Sequence, residues 1–185
     1  MLYLSFDVYQ VLRNRLAESL GLFSYADIIT RVNQTNVETD GDFQRIFNAF
    51  YRVRRNEAWR KIYYHLFQNL KGTDVSFAYI IRYMYEKTGN IEASFSSKML
   101  ATLYPDRPIW DRYVIENLGL KLDGKTKEEQ LNNAIMLYAD IEKWYGDFLE
   151  TEKAKECIAT FDDALPEYTW ITPIKKIDCF LWSIR

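Results

Sequence analysis

The residues from which metal centres and nucleophilic triads are built are scarce in this chain. Cysteine occurs twice, at Cys157 and Cys179, and histidine once, at His65, among 185 residues. Two isolated cysteines make no cluster with metal-ligand spacing, which excludes a zinc finger or a cysteine-held iron–sulfur module. They fit reduced thiols in a cytosolic protein better than a disulfide framework. A Ser-His-Asp or Cys-His device would have to be built on His65, in the run YYHLF. A partly buried, hydrogen-bonded structural histidine is the plainer reading. Neither GxxxxGK[ST] nor GxGxxG occurs, so dedicated phosphate-cradling loops are absent. No apolar run reaches the length of a membrane span, and the opening MLYLSFDVYQ lacks a basic region followed by an apolar core. The expectation is a soluble, cytoplasmic protein with no membrane partner, no metal and no cofactor.

Charge of one sign is also short. The formal net charge is only −2, which does not advertise nucleic-acid binding. Its distribution says more. Residues 1–118 carry 15 Lys+Arg against 13 Asp+Glu, residues 119–185 carry 9 against 13, and eleven of the twelve arginines precede Tyr113. This asymmetry allows a basic face on the N-terminal portion, and arginine suits bidentate phosphate contacts. Arg52, Arg54, Arg55, Arg60 and Lys61 lie among aromatics with a single acid, Glu57, between them. They form either a phosphate-contacting strip or a solvated helix face over ordinary core aromatics.

What the sequence has in quantity is apolar residues at helical spacing. Hydrophobic residues make up 48% and charged residues 27%, which suits one compact domain, or one domain in two lobes. Val8, Leu12, Leu16 and Leu20 step by four and predict a helix from Ser5 to Leu20, closed by Gly21. A short helix follows from Tyr25 to Val32, then a polar loop from Asn33 to Asp42. Phe43, Phe47, Phe50 and Tyr51 mark a helix running to about Arg54. Asn56 caps the next, through Leu70, and Val75 to Lys87 makes another that Gly89 ends. Thr126 and Glu129 form a capping box ahead of a long helix to about Glu150. A further helical stretch covers Lys153 to Phe161, Pro166 and Pro173 bracket a non-helical segment, and Ile177 to Trp182 reads as a final helix or strand.

The stretch Ser94 to Leu118, SFSSKMLATLYPDRPIWDRYVIENL, carries the chemistry. Phe95, Met99 and Leu103 give a short helix one buried stripe, and Lys98 lies outside that stripe. Pro105 and Pro108 stop the helix and force an extended link. Asp111 sits where an N-cap belongs, ahead of Val114, Ile115 and Leu118. An amine and a carboxylate thus stand on consecutive helices joined by a short link. Each alone also fits a surface lysine or a plain cap.

This segment resembles the core of the helix-hairpin-helix DNA glycosylase superfamily, which includes endonuclease III and 8-oxoguanine glycosylase. The family's hairpin reads roughly Leu-Pro-Gly-Val-Gly-Thr-Lys; here the register is Glu92, Ala93, Ser94, Phe95, Ser96, Ser97, Lys98, with serine in place of both glycines. The family's Pro-Val-Asp-x-x-Val element is similar to Pro108 to Val114, PIWDRYV. The resemblance covers roughly 25 residues. It implies an all-α glycosylase-like fold in one domain, 1–185, with lobes 1–89 and 119–185 flanking the segment 90–118 around a cleft. It further implies Lys98 at the nucleophile's position and Asp111 at the catalytic aspartate's. On this reading Ser94, Ser96 and Ser97 approach a DNA phosphate, and Trp59 and Trp110 are available to stack on an extruded base. The implied function is recognition, and excision by glycosylase and abasic-site lyase chemistry, of a damaged base in DNA. The alternative is an inactive helical relative that binds nucleic acid or a protein partner.

Overall fold

The computed structural model describes residues 7–8 and 21–183. The helix expected from Ser5 to Leu20 lies mostly outside them. Among the described residues the fold is all-helical. In order come α1 (Leu22–Arg31), α2 (Gly41–Phe50), α3 (Glu57–Leu70), α4 (Phe77–Thr88), α5 (Ala93–Leu103) and α6 (Arg112–Asn117). They are followed by α7 (Lys127–Leu149), α8 (Glu152–Ala164), a 3-10 turn (Pro166–Tyr168) and α9 (Pro173–Ser183).

Most starts follow from local capping chemistry. Asp40, Asn56, Ser76, Thr126 and Thr151 each accept a hydrogen bond from a backbone N–H of the helix they open, and Thr126 with Glu129 completes the expected capping box. Gly89 takes φ 70° at the end of α4, a left-handed conformation that glycine enters without a Cβ clash. Pro173 does not end the non-helical segment from outside. It opens α9, where a missing N–H does no harm.

The end of α2 departs from the expected Arg54. The helix stops at Phe50, the Arg52 N–H bonds to the Ala49 carbonyl, and the Val53 N–H bonds to the Asn48 carbonyl at 2.9 Å. That pair of bonds is a Schellman closure. Its left-handed position is filled by Arg52, at φ 54°. The same closure leaves the Tyr51 carbonyl without a helical partner.

Packing runs between α1 and α2, along α3, α4 and α5, between α4 and α7, and from α9 onto α6, α7 and α8. One aromatic cluster holds α2 against α3, with Phe47 within ring contact of Phe43, Tyr51, Tyr63, Tyr64 and Phe67. A second joins α4 to α7 through Phe77 stacked on Tyr138 at 3.9 Å. Buried tyrosine hydroxyls find acceptors, as polar groups must when cut off from water. Tyr63 donates to the Phe95 carbonyl at 3.0 Å and Tyr138 to the Pro108 carbonyl at 2.8 Å. The polar loop before α2 is tied down by Gln68, which accepts from the Val37 N–H, and by Gln44, which donates to the Val37 carbonyl.

Glu92 anchors the entry to α5. It is buried, and it accepts from the Trp59 indole N–H at 3.0 Å and from Arg55 at 2.8 Å. Glu92→Ala strands the buried indole donor and should lower stability by about 2–3 kcal/mol. Lys61→Ala, which breaks only the exposed Lys61–Glu57 pair on α3, should change it by less than about 0.5 kcal/mol. Urea unfolding of both variants checks the contrast.

Candidate functional site

The site is built on α5, which is enclosed nearly all round. Ser96, Ser97, Met99, Leu100 and Thr102 are each at most 2% exposed. Small side chains at 96, 97 and 101 let neighbouring segments approach the helix closely. This corrects the single-stripe reading: Lys98 is not outside the core but buried, at 9% exposure. It also corrects the serine turn. Ser94, Ser96 and Ser97 lie within the helix, and the Ser96 and Ser97 side chains, fully enclosed, do not face an external phosphate.

A buried ammonium needs partners. The Lys98 amine donates to the Tyr51 carbonyl at 3.2 Å, the acceptor freed by the Schellman closure of α2. It also stands 5.1 Å from the Phe95 ring centre and 5.9 Å from that of Tyr51.

Ser97 brings Asp111 to the same place. Its hydroxyl donates to the Ser94 carbonyl and accepts from the Trp110 N–H at 2.9 Å, which pins the end of the proline-flanked link beside Lys98. Asp111 then caps α6, accepting from the Tyr113 N–H at 2.8 Å. Helix α9, packed on α6, adds two groups. Lys175 lies 3.9 Å from the Asp178 carboxylate, which also accepts from the Tyr145 hydroxyl.

Lys98, Asp111, Lys175 and Asp178 line one pocket, with Phe50, Tyr51, Cys179 and Trp182 among its other walls. The space encloses about 20 Å³, room for about one water molecule. Burial pushes the Lys98 amine down to about 8; the Asp111 charge opposes this, while Lys175 and Arg52 add to it. Burial raises the Asp178 carboxyl to about 6 against the opposing pull of Lys175 and Tyr145. Burial likewise raises the Cys179 thiol to about 11, so it offers no nucleophile at neutral pH.

The remaining expected residues lie elsewhere. Arg52 and Arg54 are exposed at the end of α2, and Arg55 is held by Glu92 and packs over the Trp59 and Phe95 rings. Arg60 and Lys61 line a separate open groove with Glu38 and Glu57. Trp59 stacks on Tyr63, and Trp110 lies parallel to Phe77 with ring centres 6.4 Å apart; both are buried, and neither lines the pocket. His65 is half exposed and hydrogen-bonded to Glu38 and Asn69. Among the described residues no cluster of His, Cys, Asp or Glu could hold a metal ion, and no helix is long and apolar enough to cross a membrane. Sequence reasoning missed Lys175 and Asp178. The only signal was a lysine and an aspartate three apart in an apolar helix, a pattern that a surface ion pair also produces. No protein-family model, curated protein or solved structure matches this chain.

Asp178 makes the site pH-sensitive. Its folded pKa is raised above the ordinary carboxylate value, so the stability it contributes is present below about pH 4 and lost as pH rises through about 6. Two units correspond to about 3 kcal/mol. Thermal melts from pH 4 to 7 should show wild type losing up to that much relative to Asp178→Asn.

Proposed function

We propose that the protein is a DNA-repair-type glycosylase of the helix-hairpin-helix kind, with Lys98 as the amine nucleophile and Asp111 as the carboxylate that steadies charge on the sugar. The observation that carries this reading is the convergence of Lys98 and Asp111 on one pocket. With the amine lowered to about 8, about one-tenth of it is neutral at pH 7, against less than about one in a thousand for an ordinary lysine. A neutral amine can attack the anomeric carbon and form a Schiff base; the carboxylate stabilises the oxocarbenium-like charge that develops as the base departs.

The helices α4 and α5, joined by the short turn after Gly89, supply the hairpin of this reading, and Asp111 opens the helix that follows. The phosphate contacts fall to the exposed Arg52 and Arg54, of which Arg52 acts on the Lys98 amine, rather than to the enclosed serines. A flipped nucleotide needs far more than 20 Å³, so the half-buried rim residues Phe50 and Trp182 must move aside as it enters. The closed pocket favours a second reading, in which the chain binds nucleic acid or a protein partner without chemistry.

Incubation with abasic-site DNA and borohydride should trap wild type as a covalent complex, and Lys98→Gln should abolish it. The substitution removes a buried charge, and the glutamine amide can still donate to the Tyr51 carbonyl, so the variant should stay folded. Asp111→Asn should keep the cap, since asparagine caps about as well as aspartate, yet lose base excision by about a hundredfold or more. Equal trapping by wild type and Lys98→Gln on abasic DNA would leave the binding reading in its place.

Duplex affinity should also fall with salt, by about 0.9 log units per log unit for each phosphate contact. Arg52→Gln and Arg54→Gln should each reduce that slope by about one in a filter-binding or anisotropy titration.

A further inference from the structure

The pocket holds a second ammonium for which the proposed chemistry has no use. Lys175, on α9, is 13% exposed, and it keeps company with Asp178 at 3.9 Å and with the Tyr25 and Phe50 rings, whose centres lie 5.0 and 5.7 Å from its amine. Its neighbour Lys176 shows what a purely structural lysine looks like here: paired with Asp162 at 2.5 Å, bonded to the Thr169 carbonyl and outside the pocket lining. Lys175 instead lines the same space as Lys98.

We infer that Lys175 is a positioning residue of this site: its ammonium, paired with Asp178, shares the pocket with the Lys98 amine and raises the fraction of that amine in the neutral, nucleophilic form. The inference rests on the reading of Lys98 as a nucleophile, but not on DNA as the substrate. Two like charges in one small, poorly hydrated space repel, and the one with the weaker counterion gives up its proton more readily. Asp178 is buried at the side of Lys175. The Lys98 amine has a neutral carbonyl as its hydrogen-bond acceptor, with Asp111 only partly buried at the cap.

Burial does most to lower the Lys98 amine, and the charged groups acting on it are Asp111 at the start of α6, Lys175 on α9, and Arg52 after α2. Asp111 favours the charged amine. Arg52 opposes it, but Arg52 is exposed, so water and salt screen its charge. Lys175 is enclosed, and its effect survives at physiological ionic strength. Burial opposes the charge on Lys175, and the Asp178 carboxylate at 3.9 Å is the main group that outweighs it.

The test is an NMR titration of the Lys98 side-chain Cε resonance in ¹³C-lysine-labelled protein, assigned by its loss in Lys98→Gln. Wild type should titrate near 8. Lys175→Met should move that midpoint up by about one unit, and Lys175→Arg should leave it near the wild-type value. The double variant K175M/D178N removes both charges of the pair together and should shift the midpoint in the same direction as Lys175→Met. It serves where the single substitution, which leaves Asp178 buried alone, fails to fold. A wild-type midpoint at the ordinary lysine value overturns the inference at once. So does an unmoved midpoint in Lys175→Met or K175M/D178N, or an upward shift in Lys175→Arg as large as in Lys175→Met. A shifted midpoint without borohydride trapping on abasic DNA upholds Lys175's role and overturns the DNA substrate.

Discussion

The structure turns on a buried amine bonded to the carbonyl left over at the end of a helix. Moving an unpaired ammonium out of water costs several kcal/mol, and Lys98 is 9% exposed. The Tyr51 carbonyl, at 3.2 Å, and the Phe95 and Tyr51 rings offset part of that. Tyr51 presents its carbonyl because α2 closes in a Schellman turn with Arg52, not glycine, in the left-handed position. A non-glycine residue at φ 54° stores a little strain. Here that strain is coupled to the carbonyl that accepts the buried Lys98 amine.

Three further constraints converge on the same amine from distant parts of the sequence. Ser97 fixes the link that delivers Asp111, through its bond from the Trp110 N–H. Packing of α9 on α6 delivers Lys175 and Asp178. Tyr145, from the last turns of α7, reaches the Asp178 carboxylate. The pocket pairs two lysines with two aspartates, so its electrostatics are set by which partner is better shielded from water rather than by an excess of one sign.

Much of the helical content was legible because it is written locally. Asn56, Gly89 and the Thr126–Glu129 box act within a few residues of themselves, and each does what its chemistry implies. The end of α2 was not legible, because no glycine marks it. The burial of Lys98 was hidden for a different reason. Serine, alanine and threonine around it carry no hydrophobic signal, yet their small volume is what lets neighbouring segments enclose α5. The short link put Lys98 and Asp111 on consecutive helices, but that both face one space was not legible from it. The α9 contribution could not, since it depends on tertiary packing between segments far apart in the sequence, as the bond from the Asn117 side chain to the Leu181 carbonyl illustrates.

The size of the pocket decides how binding energy would have to be used. At about 20 Å³ it offers a substrate no ready cavity, and the aromatics expected to grip a base, Trp59 and Trp110, are committed to the core. Any ligand larger than water must therefore open the rim at Phe50 and Trp182, and the free energy for that must come from contacts outside the pocket. Arg52 is an exposed charge that acts on the pocket's Lys98 amine. Contacts made there with a polyanion would do two things together, since Arg52 both adjoins the Tyr51 carbonyl and acts on the Lys98 amine. Neutralising Arg52 weakens its repulsion of the Lys98 proton, while withdrawing the enclosed rim from water strengthens what Lys175 contributes. The fixed, buried cation is thus the part of the site whose influence grows as the site is occupied.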